Sequence, residues 1–379
     1  MEKLQKRISK FLQNKFNIIP KKSQLIYHEK KDWERYCLAR DLNQSSEGFY
    51  CLRDLSAHIL TDSEFLLQNL FHEFFGHGLY FEHSINGKEA HSLEQKLREE
   101  EKQCKSLNEI KRLRQNNPLY NQILKLQEQD FNQTEGFAMW MELYLSALTK
   151  NISGFEKRYE QLANSRKMIL DKFIDYGKAL GEHAVLFSCG FPKFYDNKIL
   201  ESLLKNIFKQ DFESIKFALL YGSRKPYSDI DLFIVSDKIK SNNFGWMDVY
   251  SIGKNHFEDL ASKLDISVTD ALFTGDLILG DKGYLEKIKK RILFSPITPN
   301  AIKFHKKHSE KAKILASQCF NSLEHYRSAM QFNESYLKNA FELEKGHKPL
   351  TLKKLKSIYP EVFKKFDKKA YKIQAIREA

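Results

Sequence analysis

"LLQNLFHEFFGHGLYFEH", residues 66–83, is the stretch whose reading decides the fold of the first half of the chain. It is the most apolar segment of the sequence, yet Gln68, Asn69, His72, Glu73 and His77 interrupt it. Two histidines one helical turn apart, with a glutamate beside the first, would face a common point. Here the histidines are five positions apart, His72 to His77. An α-helix turns by about 100° per residue, so on a regular helix they would point about 140° apart. Two features rescue convergence. A single-turn π-bulge absorbs one extra residue and recurs at functional sites, and Gly76 and Gly78 flank His77, where the helix can loosen or end. The competing reading is a packed apolar helix carrying satisfied histidines. Three polar groups in a phenylalanine-rich segment are costly without a partner or a metal, which favours the metal.

A hydrolytic metal centre needs three protein ligands, one open position for water and a carboxylate to take that water's proton. "NQTEGFAMWMELY" (132–144) offers Glu135 at the start of an apolar helix, with Gly136 and Ala138 small enough for another helix to approach. His83, six after His77, is the rival third ligand; it has the metzincin spacing, but Tyr80 stands where that family needs a glycine. His58 and His91 read as ordinary packing or surface histidines. Together "SAHILT" (56–61), "HEFFGH" (72–77) and "TEGFA" (134–138) resemble the glutamate-type zincin metallopeptidases. The likeness is greatest to their HExxxH branch, which includes tubulin tyrosine carboxypeptidases, and spans roughly residues 45–150. The resemblance implies zinc held by His72, His77 and Glu135, with Glu73 as general base. Many such enzymes carry an acidic residue four after the third ligand. Here that position is Met139, so histidine orientation must come from elsewhere, with Glu142 the candidate.

A second constellation is "LLYGSRKPYSDIDLFIVS" (219–236). A Gly-Ser turn follows a buried strand, and strand alternation puts Asp229 and Asp231 on one face of the next. Two carboxylates near a turn whose amides can meet phosphate suit Mg²⁺ and a nucleoside triphosphate. A third carboxylate is expected on an adjacent strand. "KLDISVTD" (263–270) reads as that strand and supplies Asp265, with Asp270 and Asp248 weaker candidates. This pattern resembles the polymerase-beta-type nucleotidyltransferases, especially the minimal ones and the antibiotic-modifying adenylyltransferases, over about residues 215–290. The resemblance implies that Gly222 and Ser223 cradle phosphate and that Asp229, Asp231 and Asp265 hold magnesium. The five-residue spacer "RKPYS" is shorter than usual in the family, and Arg224 and Lys225 can compensate by contacting phosphate.

The remaining features set bounds. A chain of 379 residues that is 42% hydrophobic and 13% aromatic is long and apolar enough for several packed domains. No signal peptide or membrane span is apparent, and the five scattered cysteines (37, 51, 104, 189, 319) suit reduced thiols, so a cytoplasmic location is expected. The net charge of +13 is concentrated at the end: residues 300–379 hold 18 Lys and Arg against 8 Asp and Glu. That raises the prospect of an anionic partner, nucleic acid included, although solvated lysine-rich helix faces are equally common. Turn and capping signals predict strands at 48–54, 56–61, 216–222, 229–236 and 264–270, and a helix starting near Thr61, with Thr61 and Glu64 as a capping box. Further helices are expected at 89–107, 135–149, 153–181 and 254–264, and throughout the segment after Pro299.

The expectation is therefore an α+β multidomain chain. A zincin-like domain covers 1–195, a small mixed sheet with helices of the nucleotidyltransferase kind covers 196–298, and a basic helical, acceptor-binding domain covers 299–379. The function expected is bifunctional: an Mg²⁺-dependent transfer of a nucleoside monophosphate, ATP the foremost donor, to a hydroxyl of a protein, RNA or small molecule, joined to a zinc peptidase. The alternatives are a zinc peptidase whose second domain only senses nucleotide or recruits substrate, and a non-catalytic binding module.

Overall fold

The computed structural model describes residues 1–40, 42–43, 46–193, 195–318 and 322–366. Cys319 and the end of the basic segment, 367–379, lie outside the described residues. The chain is mixed α+β with small mixed sheets, and it separates into two compact units, Met1–Phe194 and Tyr195–Ala379.

The first unit is built on three strands, β1 (Gln24–His28), β2 (Gly48–Cys51) and β3 (Ser56–Leu60), in the order β1-β3-β2. β1 runs parallel to β3, which requires a crossover, supplied by the helix Lys30–Arg40. β2 returns antiparallel as an edge strand, pairing Gly48 with Ile59 and Cys51 with Ser56. Central β3 is buried from Ser56 through Ile59, the expected fate of a flanked strand.

After β3 the chain does not enter its helix at Thr61. The Thr61 hydroxyl instead donates to the His28 carbonyl at 3.0 Å, and Glu64 pairs with Lys157, so the expected capping box is not formed. Helix begins at Leu66 and widens at once into a π-helix over Leu70–His77, every residue of which is buried. Against it packs the long helix Pro118–Leu148, started by Asn117, whose side chain accepts the Leu119 amide at 2.8 Å, and by proline at the first position. Its buried residues gather in the second half, Gly136 to Ser146. The charged helix expected near 89–107 spans Ile85–Glu101, capped by Ser84. The single helix expected over 153–181 is two, Ile152–Gln161 and Asn164–Leu180, broken where Leu162 and Ala163 are extended.

The second unit holds a five-stranded sheet: β4 (Phe217–Tyr221), β5 (Ile230–Val235), β6 (Asn242–Asn243), β7 (Met247–Ile252) and β8 (Asp276–Gly280), in the order β6-β7-β5-β4-β8. β5 and β7 are parallel and the other pairings antiparallel. Phe217, Leu219, Phe233 and Val235 alternate along β4 and β5 and pack with Phe257, Val268, Leu272 and Ile288 from the covering helices.

The segment 264–270 is not a strand. Leu264 adopts φ 59°, closing the helix Lys254–Ser262, and the Asp265 carboxylate then accepts the amides of Ser267 and Val268 to cap a new helix, Ile266–Thr274. Its β-branched residues suggested a strand, but the Asp-x-Ser cap fixes a helical start. The helices Pro299–Gln318 and Leu323–Glu344 that follow belong to the same unit.

Candidate functional site

The extra residue between His72 and His77 is taken up by the π-helix. Its i→i+5 hydrogen bonding stacks residues five apart, where an α-helix would splay them. The two imidazole rings accordingly lie 4.9 Å apart, nearly perpendicular at 82°. The approach of the long helix is set by Gly76, since a Cβ there would lie 2.7 Å from the Ala138 Cα. Ala138 therefore does what its size suggested. Gly136 faces elsewhere, against Phe173.

This contact brings Glu135 between the histidines. His77 Nε2 is 3.4 Å from Glu135 Oε1 and His72 Nε2 is 3.8 Å from Glu135 Oε2. Among the described residues these three are the group of potential metal ligands whose donor atoms all lie within 4.8 Å of one another. Glu135 Oε2 is buried with no hydrogen-bond partner, as is His77 Nδ1. Two imidazole nitrogens and a carboxylate opening onto a cavity of about 700 Å³ match in kind the donor set that hydrolytic zinc sites use, three protein ligands and a water. The residues fit the ion.

Charge follows the same geometry. Burial alone would weaken His77 as a base, but the hydrogen bond and charge of Glu135, with Glu73 beyond, hold its pKa above the ordinary histidine value. Burial would raise Glu135, yet the hydrogen bond of His77, with the charges of His77, His72 and Arg166, holds its pKa well below the carboxylate range. Both shifts favour the charged forms, imidazolium on His77 and carboxylate on Glu135. A divalent cation would take the proton's place.

Glu73 is buried and lines the same cavity, its Cγ only 3.0 Å from where a Cβ on Gly48 would lie. Strand β2 thus passes directly over the candidate base. Glu142, seven residues after Glu135, reaches the histidine that Met139 cannot: its Oε2 lies 3.2 Å from His72 Nδ1. His83 is excluded from the trio; its Nε2 meets the Ile19 carbonyl at 2.7 Å. His58 pairs with His28 at 2.8 Å and stacks on Tyr36, and His91 meets the Leu52 carbonyl. Sequence reasoning missed Arg158 and Arg166, which also line the cavity. Neither carries a motif, because each arrives from a helix distant in sequence.

In the second unit the Gly-Ser turn and the aspartates do meet. Gly222 has φ 76°, and a Cβ there would stand 2.1 Å from Asp231 Oδ2, so only glycine fits beneath that carboxylate. Burial first, then the charges of Asp248 and Asp229, push the Asp231 pKa up to about 6, partly offset by the Ser223 amide. Register explains the second partner: parallel pairing of β5 with β7 sets Asp231 beside Asp248. Asp248, the weaker candidate from sequence, occupies the adjacent-strand position expected of Asp265. Asp265 is instead 2% exposed, capping its helix and accepting the Tyr336 hydroxyl at 3.2 Å. Asp270 accepts the Leu352 amide. Arg224 is tied to Asp276 and to the Leu220 and Thr274 carbonyls, away from the role of a free phosphate contact. Lys225 is exposed, and its carbonyl accepts the Tyr195 hydroxyl at 3.0 Å.

Among the described residues no helix is long and apolar enough to cross a membrane. No family model and no curated protein matches the sequence. One solved structure that aligns with the chain is a nucleotidyltransferase-like protein from Exiguobacterium sibiricum 255-15, at 15% identity over 44% of this chain and 66% of that one. The TM-score of that alignment is 0.25, too low to assign a fold.

Proposed function

We propose that the first unit is a zinc-dependent hydrolase of peptide bonds, of the glutamate-type zincin kind. The observation that carries this is the convergence of His72, His77 and Glu135 on a π-helix, with Glu73 beside them on an open cavity. Zinc bound there would supply a Lewis acid and a water acidified to near neutrality. Glu73, on the same cavity, would take the proton of the attacking water and return it to the leaving amine. Arg166, 3.8 Å from Glu135 and half-exposed on the cavity wall, is placed to meet the negative charge that develops on the substrate carbonyl. The free side of edge strand β2, whose Gly48, Phe49 and Tyr50 line the cavity, offers backbone groups to an extended peptide. The test is metal analysis of untagged protein purified without chelator. About one zinc per chain, lost in His77→Ala and Glu135→Ala, is expected; no zinc in the wild type even after reconstitution overturns the assignment.

A second activity, Mg²⁺-dependent nucleotidyl transfer from a triphosphate to a hydroxyl, is favoured by the fit of Gly222 under Asp231 and the pairing of Asp231 with Asp248. Asp229, Asp231 and Asp248 would hold the cation, and the basic helices after residue 299 are the place for an anionic acceptor such as RNA. Incubation with each of the four labelled triphosphates, Mg²⁺ and cell extract tests it. Labelling that is identical for wild type and Asp229→Ala/Asp231→Ala removes this activity and leaves a nucleotide sensor or recruitment module.

A further inference from the structure

Arg158, on the helix Ile152–Gln161, is the link in a chain of polar contacts that runs from a metal ligand to the edge strand. At one end, Glu142 Oε2 meets His72 Nδ1 at 3.2 Å, while the other oxygen, Oε1, faces Arg158 Nε at 3.7 Å. Glu142 is 3% exposed, and no hydrogen bond reaches its Oε1, so Arg158 is the compensating charge there. The guanidinium then donates from Nη1 to Asn69 Oδ1 at 2.6 Å. The amide of Asn69 donates in turn to Ser63 Oγ at 3.0 Å and to the Glu47 carbonyl at 3.4 Å, and Ser63 Oγ closes onto the Glu47 carboxylate at 2.5 Å. Glu47 immediately precedes β2, and Gly48 lies against the Glu73 side chain. The contacts form a ring: ligand, carboxylate, arginine, asparagine, edge strand, base.

We propose that Arg158 is a positioning residue that couples the placement of strand β2 to the orientation of His72. The inference rests on the zinc assignment above for its functional meaning, and on these contacts alone for the coupling. A planar guanidinium spans two acceptors at fixed angles, here Glu142 and Asn69, which an ammonium on a flexible stem cannot do. Removing it leaves a buried carboxylate without its compensating charge and Asn69 Oδ1 without its donor. Seating a peptide against β2 would then tighten Asn69 and Arg158, and through Glu142 hold His72 Nε2 toward the metal. Second-sphere partners of this kind typically govern metal affinity by about 10–100-fold.

The test uses the full chain in three variants: Arg158→Ala, Arg158→Lys, and Lys157→Ala, which removes the adjacent surface pair with Glu64. Three readouts are compared: zinc affinity by chelator competition, the visible spectrum of the Co²⁺-loaded protein, and amide exchange of Phe49–Cys51 in the metal-free state. Arg158→Ala is expected to weaken zinc about 10–100-fold, to change the Co²⁺ ligand-field bands and to speed exchange in β2. Arg158→Lys should recover only part of each, and Lys157→Ala should match wild type. Should Arg158→Ala fail to fold, the lysine variant decides, since wild-type values in it contradict the need for a planar bridge. Unchanged β2 exchange, an unchanged Co²⁺ spectrum, or equal effects from Lys157→Ala would overturn the coupling. If the wild type takes up neither Zn²⁺ nor Co²⁺, it is the metal assignment that falls, and the metal-free exchange comparison still decides whether Arg158 holds the strand.

Discussion

Gly76→Ala is the sharpest perturbation of the first centre, because it adds one methyl where two helix backbones touch. The new Cβ would stand 2.7 Å from the Ala138 Cα and 2.8 Å from its Cβ, against 3.4–4 Å for ordinary contact. Neither neighbour is the end of a flexible side chain, so the π-helix and the long helix must part by about 1 Å. Overpacking of this kind costs about 1–3 kcal/mol. For a unit of this size that is a fall in Tm of roughly 2–12 °C. The same displacement carries Glu135 away from His72 and His77. Zinc–ligand bonds are about 2.0–2.2 Å long, so a 1 Å shift of one ligand is close to half a bond, and a loss of at least about tenfold in affinity, about 1.4 kcal/mol, is expected. The assays are thermal unfolding with and without metal, and chelator competition. Gly177→Ala is the control, since its Cβ would come no closer than 3.3 Å to a neighbour, the Val185 Cγ2. Ala138→Gly in the Gly76→Ala background should recover part of both losses, because it removes one of the two clashing atoms. A Gly76→Ala protein with wild-type Tm and zinc affinity would refute the claim that this contact sets the ligand geometry.

Glu73→Gln should keep zinc but lower any peptide hydrolysis by about 10²–10⁴-fold; loss of zinc instead would make Glu73 a ligand. Zinc uptake should release a proton and strengthen as pH rises, because the ion must displace the proton that Glu135 helps His77 to hold. Calorimetry in buffers of different ionisation enthalpy reads that proton, and buffer-independent heats would contradict it. Asp231→Asn should stabilise the second unit at neutral pH. The native carboxyl titrates at about 6, so its ionised form is disfavoured by folding. The penalty grows as pH climbs from the unfolded value of about 3.9 through that of the folded state, so the gain should vanish in acid; a gain persisting at low pH would point to a packing effect. Asp265→Ala should cost about 1–2 kcal/mol of stability as a lost helix cap, whereas Asp248→Asn should abolish transfer with no loss of Tm, since it also removes a charge that disfavours ionised Asp231. The reverse pattern would restore Asp265 to the metal.

The pieces of each centre that lie on a local motif were legible in the sequence, and those that depend on register were not. "HEFFGH" poses its own geometric problem with two solutions, five-residue stacking or a helix end at the glycines, and the structure takes the first, a π-helix over Leu70–His77. Glu135 was reachable because Ala138 advertised a close approach. Arg158 and Arg166 were not, since nothing local distinguishes them from other arginines on exposed helices. In the second unit Gly222 and Asp231 flank one connection, that between β4 and β5, and were visible together in one short stretch. Asp248 becomes Asp231's neighbour only through the parallel pairing of β5 with β7, a long-range choice that no window of sequence records. Asp265 was misassigned for the complementary reason: Ile266, Val268 and Thr269 carry β propensity, but the side chain of Asp265 offers the backbone a cap, and the short-range hydrogen bonds prevail.

That contrast bears on why the unusual helix persists. A π-helical turn is intrinsically inferior to an α-helical one, and deleting a single residue, Phe74 or Phe75, would convert the segment to the ordinary four-residue spacing. Yet the following turn, Gly78–His83, is itself buried at Gly78, Leu79 and Tyr80. That turn follows His77 directly and keeps its phase: a helix that re-forms with α winding leaves both in place, and one that keeps its own winding rotates both by about 100°. The ligand pair facing Glu135 and the apolar face of the next turn therefore share one fate. ΔPhe75 should keep or lose zinc affinity and the protection of the Gly78–His83 amides together, over and above the stability lost with the buried Phe75 ring. Chelator competition and amide exchange read the two, and zinc retained with those amides exchanging fast would refute the linkage.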